Sequence, residues 1–153
     1  MYIDGLAAFD WLAKRSEGGI VVLGQSLGSG TGVNIAAQRP AAGIILVSPY
    51  TSVESLAAAQ YPFLPVRFLI KDRFRSDLRI QDVSQPKLFI HGRRDRIISL
   101  AFGEALFAMA PGAKRMLIYD AYGHNDVWDE HGMVGDVLMF VESVQPEGGS
   151  QGG

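Results

Sequence analysis

Three side chains in this sequence have the types and the order needed to move an acyl group. Ser26 lies in Gly24-Gln25-Ser26-Leu27-Gly28, Asp95 in His91-Gly92-Arg93-Arg94-Asp95, and His124 in Gly123-His124-Asn125-Asp126. A serine hydroxyl is a poor nucleophile until a base takes its proton, and an imidazole titrates close enough to neutrality to accept that proton and return it. A carboxylate on the other ring nitrogen fixes the tautomer and stabilises the imidazolium. A serine between two glycines fits a sharp strand-to-helix turn, in which the serine backbone is strained and the flanking positions must be small so that strand and helix can approach each other. On this reading the backbone N–H of Leu27 is one donor to the oxyanion, aided by the N-terminus of the helix that follows.

Each of these residues has competitors. Asp120 precedes His124 too closely to come from another strand end, and Asp126 opens the last helix, where capping accounts for it. His91 closes a strand and reads as structural, and His131 lies beyond the site loop and reads as a surface residue. Arg93, Arg94 and Arg96 read as solvated charge.

A serine, an acid and a base so far apart in sequence meet only if the loops that carry them cluster. Four apolar runs supply strands: Ile20 to Leu23, Gly43 to Val47, Lys87 to Ile90 and Arg115 to Tyr119. They lack a polar alternate face, as strands buried in a parallel sheet do. Helical spacing falls between them, at Asp4 to Arg15, from Leu27 to a stop at Pro40, and from Ser99 to Pro111-Gly112, and a last helix, weakened by Gly132 and Gly135, runs to about Val144. Strand, helix, strand with short connections implies right-handed crossovers and parallel strands, whose carboxyl-end loops all open on one side. Ser26, Asp95 and His124 each follow a strand, so that side collects all three. The long stretch from Ser48 to Gln85, rich in aromatics and prolines, is expected to hold a helix near Val53 to Gln60, a turn at Pro62 to Pro65, and a second helical stretch around Val66 to Phe74. Tyr50, Tyr61, Phe63, Leu64 and Phe68 are candidates for an apolar substrate pocket, with simple cover for the sheet as the competing explanation.

Composition narrows the remaining classes. The chain of 153 residues is 48% hydrophobic and 20% charged with a net charge of -2, which suits one globular domain over residues 1–146 and gives no electrostatic footprint for nucleic acid. Residues 147–153 read as a flexible glycine-rich tail. Zero cysteines exclude disulfides and thiolate sites, and three separated histidines make a poor metal set, so no cofactor is expected. A phosphate-binding Walker loop fails for want of a lysine after the glycines, and a dinucleotide fold fails at Ser48, where an acid is needed. No signal-peptide pattern and no membrane span is visible, which together with the absence of cysteine fits a cytoplasmic protein.

The runs Gly-Gln-Ser-Leu-Gly-Ser-Gly-Thr-Gly, Ser48-Pro49-Tyr50-Thr51-Ser52, His91 to Ile98 and Gly123-His124-Asn125-Asp126 resemble the BEM46-like serine hydrolases of the α/β-hydrolase superfamily, over nearly the whole chain. The order Ser, Asp, His is that of this superfamily. The resemblance implies hydrolysis of an ester, thioester or amide through an acyl-enzyme on Ser26. It also implies an amino-terminal membrane segment in many members, and none is seen here. The superfamily has several strands before the serine, whereas one helix and one strand precede Ser26, so the chain resembles the carboxy-terminal half of the fold. Three expectations follow: weak activity for want of a second oxyanion donor, self-association through an exposed edge of the first strand, and, as the alternative function, a non-catalytic fragment that acts as a binding or interaction module.

Overall fold

The four apolar runs form one parallel sheet whose strand order follows the chain, β1 (Val21–Gln25), β2 (Gly43–Val47), β3 (Lys87–Gly92) and β4 (Lys114–Tyr119). This is a computed structural model, and it describes residues 1–61, 63 and 74–145. The second helical stretch expected over Val66 to Phe74 and the tail therefore lie, but for Phe74, outside the described residues. Pairing is in register from Val21 opposite Gly43 to Gln25 opposite Val47, and from Lys87 opposite Lys114 to Gly92 opposite Tyr119. Every residue of β2 and β3 is buried, as central strands covered on both faces must be.

Among the described residues six α-helices accompany the sheet: α1 (Tyr2–Ala13), α2 (Leu27–Ala36), α3 (Val53–Gln60), α4 (Ser76–Arg79), α5 (Leu100–Met109) and α6 (Met133–Val144). Because the strands are laid down in one direction, right-handed crossovers send the connecting helices to the same face. There Val22, Ile44, Leu46 and Phe89 pack with Phe9 of α1, Val33 and Ile35 of α2, and Leu106 of α5. The other face is covered by α6, whose Val137, Phe140 and Val141 pack on Ile45, Val47, Leu88 and Ile90. Val21 of β1 packs in the same cluster, while Leu23 of that strand stays 47% exposed.

The lower end of the sheet, away from the loops that carry Ser26, Asp95 and His124, is tied down by charge. Lys87 and Lys114 face each other across β3 and β4. Lys114 donates to the carbonyls of Phe107 and Ala110 at 2.8 and 2.7 Å, and Lys87 to those of Gln85 and Pro111 at 2.7 Å each. Lys114 thus satisfies carbonyls at the C-terminal end of α5, where a cation is favoured, and Lys87 joins Pro111, just past that end, to Gln85, just before β3. Burial pushes the Lys87 pKa down.

Candidate active site

At the upper end of β1 the chain turns sharply into α2, and Ser26 forms the corner. Its backbone has φ 50° and ψ -124°, a conformation that L-residues avoid. The close approach of strand and helix is visible at Gly24, where a Cβ would stand 2.6 Å from the carbonyl oxygen of Gly28 and 2.8 Å from the Cα of Ser29. Gly28 differs from the sequence expectation. A Cβ there meets nothing within 4 Å among the described residues, so its smallness serves no packing need in them. Ser29 Oγ donates to the Ser26 carbonyl at 2.7 Å and ties the first turn of α2. Leu27 is the first helical residue, where backbone N–H groups have no partner within the helix.

The loop after β3 supplies Asp95, and its environment suits an ionised carboxylate. The side chain is buried, with Oδ1 accepting from the backbone N–H groups of Ile97 and Ile98 at 2.9 and 2.8 Å. Burial alone would raise the pKa. The His91 ring, the His124 ring and the two backbone N–H groups outweigh it and hold the carboxyl well below the usual carboxylate range. His91 is fully buried, and its Nε2 donates to the Ile98 carbonyl at 2.9 Å, which pins the same loop from below. Its 3.5 Å approach to Asp95 Oδ2 is too long for a strong hydrogen bond.

His124 arrives from the loop after β4. That loop crosses over the end of β3 so closely that a Cβ on Gly92 would overlap the carbonyl oxygens of Tyr122 and Gly123. The Gly123 N–H donates to Asp126 Oδ1 at 2.6 Å, so this carboxylate braces the loop in place of the helix cap expected of it. His124 Nδ1 lies 2.7 Å from Asp95 Oδ2, and Nε2 lies 3.0 Å from Ser26 Oγ. With Nδ1 donating to the carboxylate, Nε2 is left to accept the serine proton, a tautomer assigned from the hydrogen-bond network. Of the competing groups, Asp120 pairs with Arg93 on the surface at 2.5 Å, and His131 is exposed.

Beside Ser26 lies a cavity of about 260 Å³. Tyr50 and Tyr61 line it. Phe63, also named from the sequence, is 98% exposed and does not line it, because it lies past the end of α3 with its ring in solvent. Leu64 and Phe68 are outside the described residues. Tyr50 is fully buried, its hydroxyl donating to the Leu27 carbonyl at 3.3 Å, and burial pushes its phenol pKa up. The walls that sequence reasoning missed are Val53, Leu56, Ala57 and Gln60 of α3, with Leu27, Ile97 and Ile98. The first four recur at helical spacing on one face of α3, and that spacing was the signal to be read. Among the described residues no cluster of His, Cys, Asp or Glu could hold a metal ion. None of their helices is long and apolar enough to cross a membrane.

No family model matches the chain. It is 40% identical over 126 residues to an uncharacterized protein of Mycobacterium tuberculosis, covering 80% of this chain and 45% of that protein. It is 35% identical over 132 residues to the alpha/beta hydrolase domain-containing protein 17B of Homo sapiens, covering 83% of this chain and 44% of that one. The chain thus spans less than half the length of these relatives. Among solved structures, it is similar to a metagenome-derived lipolytic enzyme of the LipS and LipT study at a TM-score of 0.73 and 21% identity, over 93% of this chain and 72% of that one. The acetyl xylan esterase of Paenibacillus sp. R4 superposes at a TM-score of 0.72 and 18% identity, over 93% and 51% of the two chains. At such identities the structural likeness speaks for the fold alone.

Proposed function

Since the chain belongs to the α/β-hydrolase superfamily, we propose that it is a serine hydrolase that cleaves an ester, thioester or amide through an acyl-enzyme on Ser26. The observation that carries this reading is the continuous relay from Ser26 Oγ through His124 to Asp95, at 3.0 and 2.7 Å, set on a strained turn beside an apolar cavity. His124 Nε2 takes the proton of Ser26 as Oγ attacks the substrate carbonyl carbon. The oxyanion that forms accepts from the N–H of Leu27. As the tetrahedral intermediate collapses, the imidazolium returns its proton to the leaving oxygen, sulfur or nitrogen. Water then attacks the acyl carbon, with His124 again as base, and frees the acid and the serine. Asp95 stays ionised throughout, since its hydrogen bonds are all to the charged form.

The walls of the cavity favour a neutral, apolar acyl group. Val53, Leu56, Ala57, Ile97 and Ile98 offer no charge to pair with an acid on the chain. Labelling by a fluorophosphonate probe, compared between the wild type and Ser26→Ala, tests the reading. Labelling is expected in the wild type and absent from the variant, and equal labelling of the two would remove the nucleophile. A series of p-nitrophenyl esters then reads the acyl preference, with butyrate and longer chains expected to outrun acetate.

A further inference from the structure

The catalytic order of this sheet poses a problem of distance. Ser26 follows β1 and His124 follows β4, and β2 and β3 lie between them. Neighbouring strands are about 4.8 Å apart, so the His124 loop must be carried over two strands before it reaches the serine. Its first part is fixed to β3 by the close crossing at Gly92 and by the Arg94 N–H, which donates to the Tyr122 carbonyl at 2.9 Å. Neither contact refers to β1. Among the described residues, two hydrogen bonds join the loop of residues 120–129 to β1 and its turn. One is the contact of Ser26 with His124. The other runs from Trp128 Nε1–H to Gln25 Oε1, at 2.9 Å and 103 residues apart in sequence.

We propose that the bond between Trp128 and Gln25 is a positioning tie that sets His124 over Ser26. The inference rests on the serine-hydrolase reading of the site. Gln25 immediately precedes Ser26, and strand alternation directs its side chain to the α6 face along with Val21 and Leu23. Trp128 comes four residues after His124, in the turn Val127–Asp129. Val127 of that turn is fully buried, and Trp128 packs against the cluster that joins the sheet to α6. The turn is therefore a fixed body, and the indole, which can only donate, transmits its position to the residue next to the nucleophile. Neither side chain lines the substrate cavity. They act through the placement of His124, not by touching the reacting atoms.

This role separates from simple structural support by what it changes. A displacement on the order of 1 Å between nucleophile and base lowers a rate roughly 10²-fold, while the cavity and thus KM stay as they were. Trp128→Phe, which keeps the ring and removes the N–H, and Gln25→Met, which removes the acceptor, should each lower kcat about 10- to 100-fold with KM within about twofold. The double variant should be no worse than either single, since both remove the same bond. A second readout does not depend on turnover. The chain has three histidines and two tryptophans, so the imidazole and indole signals of the full chain can be assigned by NMR. In Gln25→Met the ring signal of His124 should shift and broaden, and the indole N–H of Trp128 should lose protection from exchange. A His124 signal that stays at its wild-type position, or a loss of rate carried by KM, overturns the tie. Absence of Ser26-dependent labelling in the wild type would instead sink the hydrolase reading, and the His124 signal would still decide whether the tie exists.

Discussion

His124 Nδ1 and Asp95 Oδ2 stand 2.7 Å apart, and the same carboxylate spends its other oxygen on two backbone N–H groups of its own loop. One group thus orders the loop and orients the His124 ring. The two duties fall on different oxygens, and a substitution can separate them.

Asp95→Asn is expected to keep the loop and lose the base. An amide oxygen can still accept from Ile97 and Ile98, but the amide NH₂ then faces His124 Nδ1 and favours the wrong tautomer. The rate constant for Ser26 acylation should fall roughly 10⁴-fold, as when the acid of such a triad becomes an amide. Stopped-flow labelling by a fluorophosphonate measures this, and a thermal melt should show the fold retained.

Acid should erase the contribution of Asp95 to stability. Its folded pKa is depressed by the His91 and His124 rings and two backbone N–H groups against the cost of burial. A depressed carboxylate stabilises the folded state fully above its unfolded pKa of about 3.9, and that stabilisation is lost as pH falls toward the folded value. The difference in unfolding free energy between wild type and Asp95→Asn should be flat from about pH 7 to 5 and shrink below about pH 4. Urea titrations across that range check the sign. A difference that grows on acidification contradicts it.

Much of this architecture is legible in the residues, for identifiable reasons. Gly43 to Val47 and Val53 to Gln60 have the same bounds in sequence and structure; the first is an apolar run buried throughout, and the second is closed at its start by the Ser52 side chain, which accepts from the Ser55 N–H. β3 runs on through His91 and Gly92, which no composition rule assigns to a strand. Pairing with Ile118 and Tyr119 of β4 decides that end. α4 has no sequence signature, since four residues carry no periodicity. In the candidate site, residue type and strand-end position name Ser26, Asp95 and His124, which lie within hydrogen-bond distance of one another, while the Gln25 to Trp128 bond spans the sheet and leaves no local trace. The aromatic ring of Phe63 lies in solvent, and the spacing of residues along α3 marks the cavity wall.

The two glycines that flank Ser26 should respond in opposite ways to one methyl group. Gly24→Ala drives a Cβ into the backbone of Gly28 and Ser29, which can yield only by moving α2 off the strand. A loss of about 1–3 kcal/mol is expected, the usual range for overpacking. Gly28→Ala meets none of the described residues within 4 Å and lies in a helix, where alanine is favoured over glycine by up to about 1 kcal/mol. Urea melts of the two variants should therefore move to opposite sides of the wild type.

The positive φ of Ser26 is a strained backbone conformation, and glycine should release it. With φ 50° and ψ -124°, a residue with a Cβ costs on the order of 1–3 kcal/mol at this corner, whereas glycine is free of that penalty. Both Ser26→Ala and Ser26→Gly remove the hydroxyl. The glycine variant should be the more stable of the two by about 1 kcal/mol or more, read from urea midpoints at equal slope. Equal stabilities would mean that the turn carries no such strain.

The outer side of β1 leads to the last expectation. β1 ends the strand order, and on its α6 face Leu23 is 47% exposed. An edge strand offers unpaired N–H and carbonyl groups to any chain that can lie beside it, and an exposed leucine next to that edge adds apolar area to the same contact. The chain studied alone should therefore self-associate, with a concentration-dependent sedimentation coefficient. Leu23→Lys places a charge where an incoming strand would have to bury it, and should shift the equilibrium to monomer while leaving β1 paired to β2. A wild type that sediments as a monomer at all concentrations, with a cooperative melt, would show that the edge is protected by its own twist and shortness.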